Sequence, residues 1–316
     1  MTPHIDFILA VHNGEHYIAE TIESCLNQTY ENFGIIIIDD CSKDNSPKLL
    51  ENFAAQHDRI TVLTNQENKG LTKSLNIAIS HSKADYVARI DADDINAPNR
   101  LEQQIQAFLT TSDQKPSALC GSYADVIHAD GQKVGTIEEE EFMDTISLRE
   151  RIGQFKSIFP HSSFLIHRDS FMKIGGYDET FRFSQDLKLI TDFLVNGFTI
   201  ACRAERLIGL RRHENNISTR KSDAQAKLAI RAIASLQDGV TPMDQSQLSV
   251  AIDRIFSDSV YRQIDLNKRL IRALLQGKIT VLLELIGNIH WSVMLQAIPY
   301  TPRRYKIRVV KKLKAK

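Results

Sequence analysis

The chain has 316 residues, 42% hydrophobic and 25% charged, so it is long enough to bury one large core or two smaller ones. This composition excludes a disordered chain, a collagen-like chain and a small disulfide scaffold. Thirty-nine basic and 39 acidic residues give a formal net charge of zero, which excludes the overall positive field of a nucleic-acid-binding protein. The cysteines are spaced too widely for a CxxC pair, which predicts buried free thiols in a reducing cytoplasm. They are Cys25, Cys41, Cys120 and Cys202.

The first hundred residues alternate between strand-like and helix-like apolar patterns. The strand-like runs are residues 5–11, 35–38, 60–63 and 86–90. The first run follows no basic segment and stops at His12, so we expect a strand and not a signal peptide. Apolar residues at helical spacing lie between the runs, and Ser46 and Pro47 suit the N-cap and the first position of one helix. This alternation predicts an α/β fold with a mostly parallel, Rossmann-like sheet and helices on both faces.

The residues that follow these predicted strands are unusually polar. They are His12-Asn13-Gly14, Asp39-Asp40-Cys41-Ser42, Asn68-Lys69-Gly70 and Asp91-Ala92-Asp93-Asp94. Ligands of such sheets bind beyond the carboxyl ends of the strands, so these residues predict the binding site. The GxGxxG dinucleotide fingerprint and the Walker phosphate loop are both missing from the sequence, which disfavours a dehydrogenase and a P-loop enzyme.

The Asp91-Ala92-Asp93 sequence predicts a cation site. Two carboxylates at positions i and i+2 after a buried strand can converge on one hard cation, and that cation can bridge a diphosphate. The alternative is that Asp93 or Asp94 caps the segment that follows. The neighbouring Asp39 and Asp40 offer carboxylate acceptors for the N–H of a uracil-like base.

Six motifs of the first half recur together in a known order and spacing. They are Ala10-Val11-His12-Asn13-Gly14, Leu26-Asn27-Gln28-Thr29-Tyr30, Ile38-Asp39-Asp40-Cys41-Ser42, Asn68-Lys69-Gly70-Leu71, Ala88-Arg89-Ile90-Asp91-Ala92-Asp93-Asp94 and Pro98-Asn99-Arg100. Two later patches are Ile174-Gly175-Gly176-Tyr177-Asp178 with Ser184-Gln185-Asp186, and Leu210-Arg211-Arg212-His213 with Asn216-Ile217-Ser218. Together they resemble the family 2 glycosyltransferases of bacterial surface-polysaccharide synthesis, which have the GT-A fold. The likeness implies a GT-A domain over residues 1–217, with a nucleotide-sugar half at about 1–100 and an acceptor half at about 101–217.

The resemblance implies a donor pocket, a metal ion and a general base. The residues expected at the nucleotide-sugar donor are Ala10, Val11, His12, Asn13, Asp40, Lys69, Arg89, Asp91 and Ala92. Asp40 would accept a hydrogen bond from uracil, and Asp93 would hold Mn²⁺ or Mg²⁺ on the diphosphate. Asp186 occupies the position of the family's general base. For Arg89 the residue type alone leaves a second interpretation, an ion pair with a neighbouring carboxylate.

The implied activity is an inverting, metal-assisted transfer of a sugar from a nucleotide-diphosphate donor, with UDP as the expected nucleotide. The acceptor would be a hydroxyl of a glycan or lipid-linked molecule in lipopolysaccharide, capsule or exopolysaccharide synthesis. The family usually has an acidic pair such as Glu-Asp at the base, whereas here Gln185 precedes Asp186. This departure keeps a second function class open, a non-catalytic sugar-nucleotide-binding protein with a degenerate acceptor site.

Three further residues have two interpretations each. His213 is expected as a third metal ligand or a diphosphate contact, or else as a solvated loop histidine. His161 contacts the acceptor or is structural. Gly176 supplies a tight turn, and in the resembled family this loop borders the acceptor cleft.

The last hundred residues differ from the rest in pattern and charge. Residues 218–302 are strand-poor and helical in period, which predicts a helical extension. Residues 279–298 contain polar side chains that would be costly in a bilayer, so we expect an amphipathic or buried segment. The tail, 303–316, has eight basic residues and no acidic one, which leaves a net charge of −8 on the rest. It predicts docking on the anionic inner face of the cell membrane or a solubilising tail, and no nucleic acid as partner.

Overall fold

The computed structural model describes residues 2–110, 117–138, 148–149, 152, 158–213, 228–229 and 232. The chain divides into two compact units, Met1–Val240 and Thr241–Lys316, and every described residue lies in the first. The predicted helical extension over 218–302 lies outside the described residues except at the helical positions 228, 229 and 232. The basic tail, 303–316, lies wholly outside them. No helix within the described ranges is long and apolar enough to cross a membrane.

The described residues form one sheet of nine strands, flanked by helices. The strands are β1 (Ile5–Val11), β2 (Phe33–Asp39), β3 (Ile60–Thr64), β4 (Tyr86–Arg89), β5 (Ile95–Asn96), β6 (Ser117–His128), β7 (Lys133–Ile137), β8 (Leu165–His167) and β9 (Thr199–Arg212). The helices are α1 (Ile18–Leu26), α2 (Ser46–Gln56), α3 (Leu71–His81), α4 (Arg100–Thr110), α5 (Arg168–Lys173) and α6 (Gln185–Val195). A single 3₁₀ turn, His161–Ser163, precedes β8.

The strand order is β3-β2-β1-β4-β8-β6-β9-β5, with β7 paired to β6. The first four strands of this order are mutually parallel, as the alternation of patterns predicts. The rest is mixed: β8 is antiparallel to β4 and β6, and β6 and β9 are parallel. Val11 pairs with Asp39, and Ile8 pairs with Arg89. This register brings the polar residues after β1, β2 and β4 to one edge of the sheet.

Both faces of the parallel strands are buried. Ile36 and Ile38 join the apolar cluster that contains α3, and Ile35 and Ile37 join the cluster that contains α1 and α2. Covering on two sides explains why the β2 sequence is apolar at every position from 35 to 38. The predicted α/β class with helices on both faces is therefore confirmed.

The start of α2 differs from the prediction by one residue. Asn45 is the N-cap and Ser46 is already helical. The hydroxyl oxygen of Ser46 instead accepts the N–H of Gly14 at 2.9 Å, and Ser46 is buried. The N-cap prediction is wrong because the Ser46 hydroxyl joins the start of α2 to the loop after β1 and does not cap its own helix.

Arg100 is a fully buried cation that holds the carboxyl end of β4 in place. Its guanidinium donates to the side-chain oxygens of Gln104 at 2.9 Å and Asn96 at 2.6 Å. It also donates to the backbone oxygens of Arg89 at 2.8 Å and Phe164 at 3.2 Å. Burial lowers the pKa of Arg100 to about 9. Four acceptors on four segments thus receive hydrogen bonds from one planar group, which a lysine ammonium cannot replace.

We expect Arg100→Lys to lower the free energy of unfolding by about 3 kcal/mol, because buried acceptors lose donors that no water replaces. Urea denaturation measures this. Arg59→Lys is the matched control, since Arg59 is exposed and only its cation packs over the Phe33 ring, 4.6 Å from the centroid. A change below about 0.5 kcal/mol at both positions would show that the buried network contributes no stability.

Candidate functional site

The loops after β1 and β2 are joined by hydrogen bonds. The N–H of Asn13 donates to the Ser42 hydroxyl at 3.0 Å, and the Asn13 side-chain oxygen accepts the N–H of Lys43 at 2.8 Å. His12 Nδ1 lies 2.9 Å from the carbonyl oxygen of Asp40. A carbonyl only accepts, so Nδ1 carries the proton and Nε2 accepts from the Asn13 amide at 3.2 Å. The predicted donor residues His12 and Asn13 are thus held at the same edge as Asp40.

Asp40 organises the next loop along this edge. Its carboxylate accepts from the Asn65 amide, the Lys69 N–H and the Gly70 N–H, each at 2.8 Å. Asp40 is 3% exposed, and three of about four lone-pair sites are in use. Asp40 therefore fixes the start of α3 and presents Lys69, whose side chain is exposed. Gly70 has a φ of +84°, a conformation that a glycine adopts without strain.

The remaining predicted donor residues line the same edge at different depths. Val11 is buried, whereas Ala10 and Ala92 are half-buried. The Val11 side chain lies only 2.6 Å from where a Cβ on Gly14 would lie, so this close approach requires glycine. The buried Val11 side chain supports the loop from below. The small side chains of Ala10 and Ala92 leave space at the edge of the sheet.

Three carboxylates converge where β4 ends. One oxygen from each of Asp91, Asp93 and Asp94 lies within 4.8 Å of the others. Burial is the main reason that the pKa values of Asp93 and Asp94 are raised, and the charge of Asp91 adds to both shifts. A divalent cation would remove this repulsion, and carboxylate oxygens are the ligands that Mg²⁺ and Mn²⁺ prefer. The donor set and its unfavourable charge therefore fit a hard cation.

Asp94 is the most buried of the three and supports the other two. Its carboxylate accepts the N–H of Arg211 at 2.8 Å and is hydrogen-bonded to the Ser162 hydroxyl. The same hydroxyl lies 2.9 Å from Asp91. One hydroxyl thus serves two carboxyl groups, and burial together with the charges of Asp91 and Asp93 raises the pKa of Asp94. Asp94 thus joins β9 and the 3₁₀ turn, where the alternative interpretation had it cap the next segment.

The end of β9 brings His213 to the acidic cluster. His213 Nε2 lies 2.8 Å from Asp93 Oδ2, although the two residues are 120 positions apart. The His213 ring centroid lies 5.2 Å from that of Tyr17, and the Arg211 guanidinium lies 4.7 Å from the same ring. Arg211 Nε donates to the Asp93 carbonyl oxygen at 2.8 Å. His213 is therefore held beside Asp93 and is not a solvated loop histidine, and the three groups whose ligand atoms converge within 4.8 Å are Asp91, Asp93 and Asp94.

Arg89 lies beneath Asp91. Its guanidinium is 3% exposed and donates to both carboxylate oxygens of Asp91, with one distance of 2.8 Å. It also donates to the Ser162 hydroxyl at 3.1 Å. The interpretation of Arg89 as the partner of a neighbouring carboxylate matches this geometry. Such a buried bidentate pair orients Asp91 toward the edge of the sheet.

Asp186 lies in the first turn of α6 and is half-buried. Burial raises the pKa of this carboxyl group, the charge of Arg89 opposes the shift and the charge of Asp91 adds to it. The adjacent Gln185 has a buried side-chain oxygen with no hydrogen-bond partner among the described residues.

His161 and Gly176 meet on the same side of the site. His161 Nε2 lies 2.7 Å from the Tyr177 hydroxyl, and burial holds the pKa of His161 well below its usual value. Gly176 has a φ of +81°, and a Cβ there would lie 3.1 Å from the Asn76 side-chain oxygen. The structural interpretation of His161 is supported by its buried pairing with Tyr177. Sequence reasoning missed Ser162 and Asn76 and gave Tyr177 only as part of a glycine-containing motif, because single serine, tyrosine and asparagine residues carry no distinctive spacing.

Sequence comparison with known proteins identifies the family. A sequence model described as "Glycosyl transferase family 2" matches residues 6–175, which is more than half of the chain. The putative glycosyltransferase EpsE of Bacillus subtilis is 44% identical over 108 residues, 34% of this chain and 38% of EpsE. The glycosyltransferase GlyG of Streptococcus pneumoniae is 31% identical over 175 residues, 52% of this chain and 55% of GlyG. The chain thus spans only about a third to about half of the length of these relatives.

Solved structures agree on the fold. A crystal structure of S. aureus TarS residues 1–349 with UDP-GlcNAc superposes with a TM-score of 0.63 at 17% identity. It covers 95% of this chain and 82% of that one. Another, with UDP, gives a TM-score of 0.59 at 16% identity, with 81% of this chain and 72% of that one covered. The motifs, the GT-A fold and the family match agree, and the chain belongs to glycosyltransferase family 2.

Proposed function

We propose that this chain is an inverting glycosyltransferase that moves a sugar from a nucleotide-diphosphate donor to an acceptor hydroxyl. The observation that carries the proposal is the placement of Asp186, the residue at the family's base position, in the first turn of α6, where burial raises the pKa of its half-buried carboxyl group. Enzymes place carboxyl groups of this kind where a proton must be taken up. We place the diphosphate at the acidic cluster of Asp91, Asp93 and Asp94.

The proposed reaction is a single displacement. The acceptor oxygen forms a bond to the anomeric carbon on the face opposite the nucleotide, and Asp186 takes the proton of that hydroxyl. The bond between the anomeric carbon and the diphosphate oxygen breaks, and its electron pair leaves with the nucleoside diphosphate. Configuration at the anomeric carbon inverts. Asp91, oriented by Arg89, contacts the ribose side of the donor.

Asp93, with His213, would hold Mn²⁺ or Mg²⁺, and Asp91 lies beside Asp93 in the acidic cluster. Such an ion, when bound, stabilises negative charge on the leaving diphosphate. The support is the cluster of three carboxylates within 4.8 Å and the 2.8 Å contact between His213 and Asp93. Removing divalent cations with EDTA should abolish turnover, and adding Mn²⁺ should restore it.

The proposed donor is a UDP-sugar. TarS was crystallised with UDP and with UDP-GlcNAc, and this chain has the same fold. Asp40 accepts three hydrogen bonds and has the capacity for a fourth, from a uracil N–H. We place the base and ribose beside Ala10, His12 and Asn13, with the buried Val11 supporting that loop from below. We place the exposed side chain of Lys69, on the adjacent loop, near the nucleotide.

The acceptor and location form a separate part of the proposal. We place a glycan or lipid-linked hydroxyl of a surface polysaccharide opposite Asp186, in a domain that ends near residue 217. The enzyme would work in the cytoplasm, against the inner face of the membrane through residues 303–316. Flotation with anionic vesicles, with and without these residues, tests the membrane part, and equal flotation would contradict it.

One observation favours a non-catalytic nucleotide-sugar-binding protein. Gln185 replaces the first carboxylate of the usual acidic pair, and its buried oxygen has no hydrogen-bond partner within the part of the chain that the structure describes. Turnover separates the two functions. With Mn²⁺ and UDP-GlcNAc, we expect slow release of UDP with water as the acceptor. The same release of nucleotide is measured for each member of a panel of UDP- and GDP-sugars. Saturable donor binding without release of nucleotide from any donor would favour the binding protein.

A further inference from the structure

Helix α3 contacts both the donor side and the acceptor side of the site. At its start, the N–H groups of Lys69 and Gly70 donate to Asp40. Along its length, Thr72 and Asn76 lie one turn apart and therefore on the same face. Both side chains hydrogen-bond to the backbone between Tyr177 and Phe181, on the acceptor side.

Asn76 binds the backbone of Tyr177 twice. Its amide nitrogen donates to the Tyr177 carbonyl at 2.9 Å, and its oxygen accepts the Tyr177 N–H at 3.0 Å. The Thr72 hydroxyl donates to the Phe181 carbonyl oxygen at 3.0 Å. Residues 174–184 form turns and bends without helix or strand, so no ladder fixes this backbone. The two side chains of α3 satisfy backbone groups that regular structure would otherwise pair.

The close approach of Asn76 depends on the glycine before Tyr177. At Gly176 the φ is +81°, and an added Cβ would lie 3.1 Å from the Asn76 oxygen and 3.2 Å from the Phe171 ring. A larger residue would be strained and would push the segment away from α3. The contact between Asn76 and the backbone at residues 176 and 177 therefore leaves little room for the segment to move.

The segment connects two parts of the proposed reaction centre. At one end the Tyr177 hydroxyl lies 2.7 Å from His161, next to Ser162, which contacts Asp91. At the other end the chain passes Ser184, with a φ of +55°, and enters α6 at the turn that contains Asp186. The distance between Asp186 and the Asp91 side therefore depends on where α3 holds this segment.

We propose that Asn76, assisted by Thr72, is a positioning residue that sets Asp186 against the donor. This inference rests on the proposed function, because it assigns Asp186 the role of base. Neither Asn76 nor Thr72 touches a reacting atom. Each acts through the backbone that leads to α6.

Asn76→Ala should lower kcat for release of UDP from UDP-GlcNAc by about 10-fold to 100-fold, because a displacement of about 1 Å has this effect on a reacting group. The donor KM should change by less than about twofold, since Asp40 still holds the start of α3. Thr72→Val should show a smaller fall in kcat of the same kind. Ser80→Ala is the matched control on the same helix: Ser80 is exposed and its hydroxyl donates only to Ile77 of that helix.

Two measurements independent of turnover complete the test. In Asn76→Ala, amide hydrogen exchange at residues 176–183 should accelerate, and an NMR titration should move the pKa of Asp186 down toward its ordinary value as the carboxyl group becomes more solvated. Unchanged exchange and an unchanged Asp186 pKa, or a loss of stability with normal kcat, would overturn the positioning role. If instead the parent protein turns over no donor while both measurements change as expected, only the proposed function fails.

Discussion

Asp186→Asn should lower the rate of sugar transfer by about 10³-fold, because asparagine cannot take the proton of the acceptor hydroxyl. Donor affinity should stay within about twofold of the parent, since the donor contacts lie on the loops after β1 to β4. The comparison to make is kcat against the dissociation constant of UDP-GlcNAc. Transfer at a normal rate by this variant would remove Asp186 from the role of base.

The same substitution has an expected signature in stability. Burial raises the pKa of Asp186, so its proton is bound more tightly in the folded state than in the unfolded chain. Above that folded pKa the buried charge opposes folding, and removing it should leave the variant at least as stable as the parent at neutral pH. Asp169→Asn is the matched control: Asp169 also lies in the first turn of a helix, but its side chain is 73% exposed. We expect no effect there on kcat or stability.

The pH dependence of the parent follows from the same shift. The active form has an ionised Asp186, so activity should fall on acidification through a pKa above the ordinary aspartate value of about 3.9. In Asp186→Asn the residual rate should lose this acidic limb. An acidic limb that persists unchanged in the variant would assign it to another group.

Much of the fold could be predicted from sequence because the parallel strands are buried on both sides. The unbroken apolar run of β2 and the polar residues after it follow directly from that burial, and the shared carboxyl edge brings Asp40 and Asp91 together. Strands of two or three residues, such as β5 and β8, are too short to show a period. β5 and β8 are therefore missing from the prediction, and so are the longer β6 and β9, whose burial does not alternate regularly along the strand.

The site was predicted where residues are near in sequence and missed where they meet only in the fold. Asp91 and Asp93 are two positions apart, so their chemistry is evident from spacing. Arg211 and Glu20 are 191 positions apart and form an ion pair that no local pattern indicates. A weak signal existed for Asn76: it lies inside a helix beside the buried Leu75, and asparagine is disfavoured in a helix interior unless its side chain finds another partner.

Asp93→Asn should weaken Mn²⁺ binding by at least about 10-fold to 100-fold, because the carboxylate with the closest contact to His213 loses its charge. Turnover at limiting Mn²⁺ should fall by a similar factor. Calorimetric titration of Mn²⁺ in the presence of UDP, without any reaction, gives the affinity directly. Asp130→Asn is the matched control, since Asp130 lies in a loop with 67% of its side chain exposed.

The cation-free stability of Asp93→Asn separates loss of a ligand from loss of the fold. Burial and the charge of Asp91 raise the pKa of Asp93, so its ionised form opposes folding at neutral pH and asparagine should make the cation-free protein more stable. Added Mn²⁺ and UDP should then stabilise the variant less than the parent. The gain in the free energy of unfolding on ligand addition depends on the ratio of ligand concentration to dissociation constant, and this ratio is smaller for the variant. An increment equal to that of the parent would show that the cation binds without Asp93, and the cluster would be a structural feature of the β4 end.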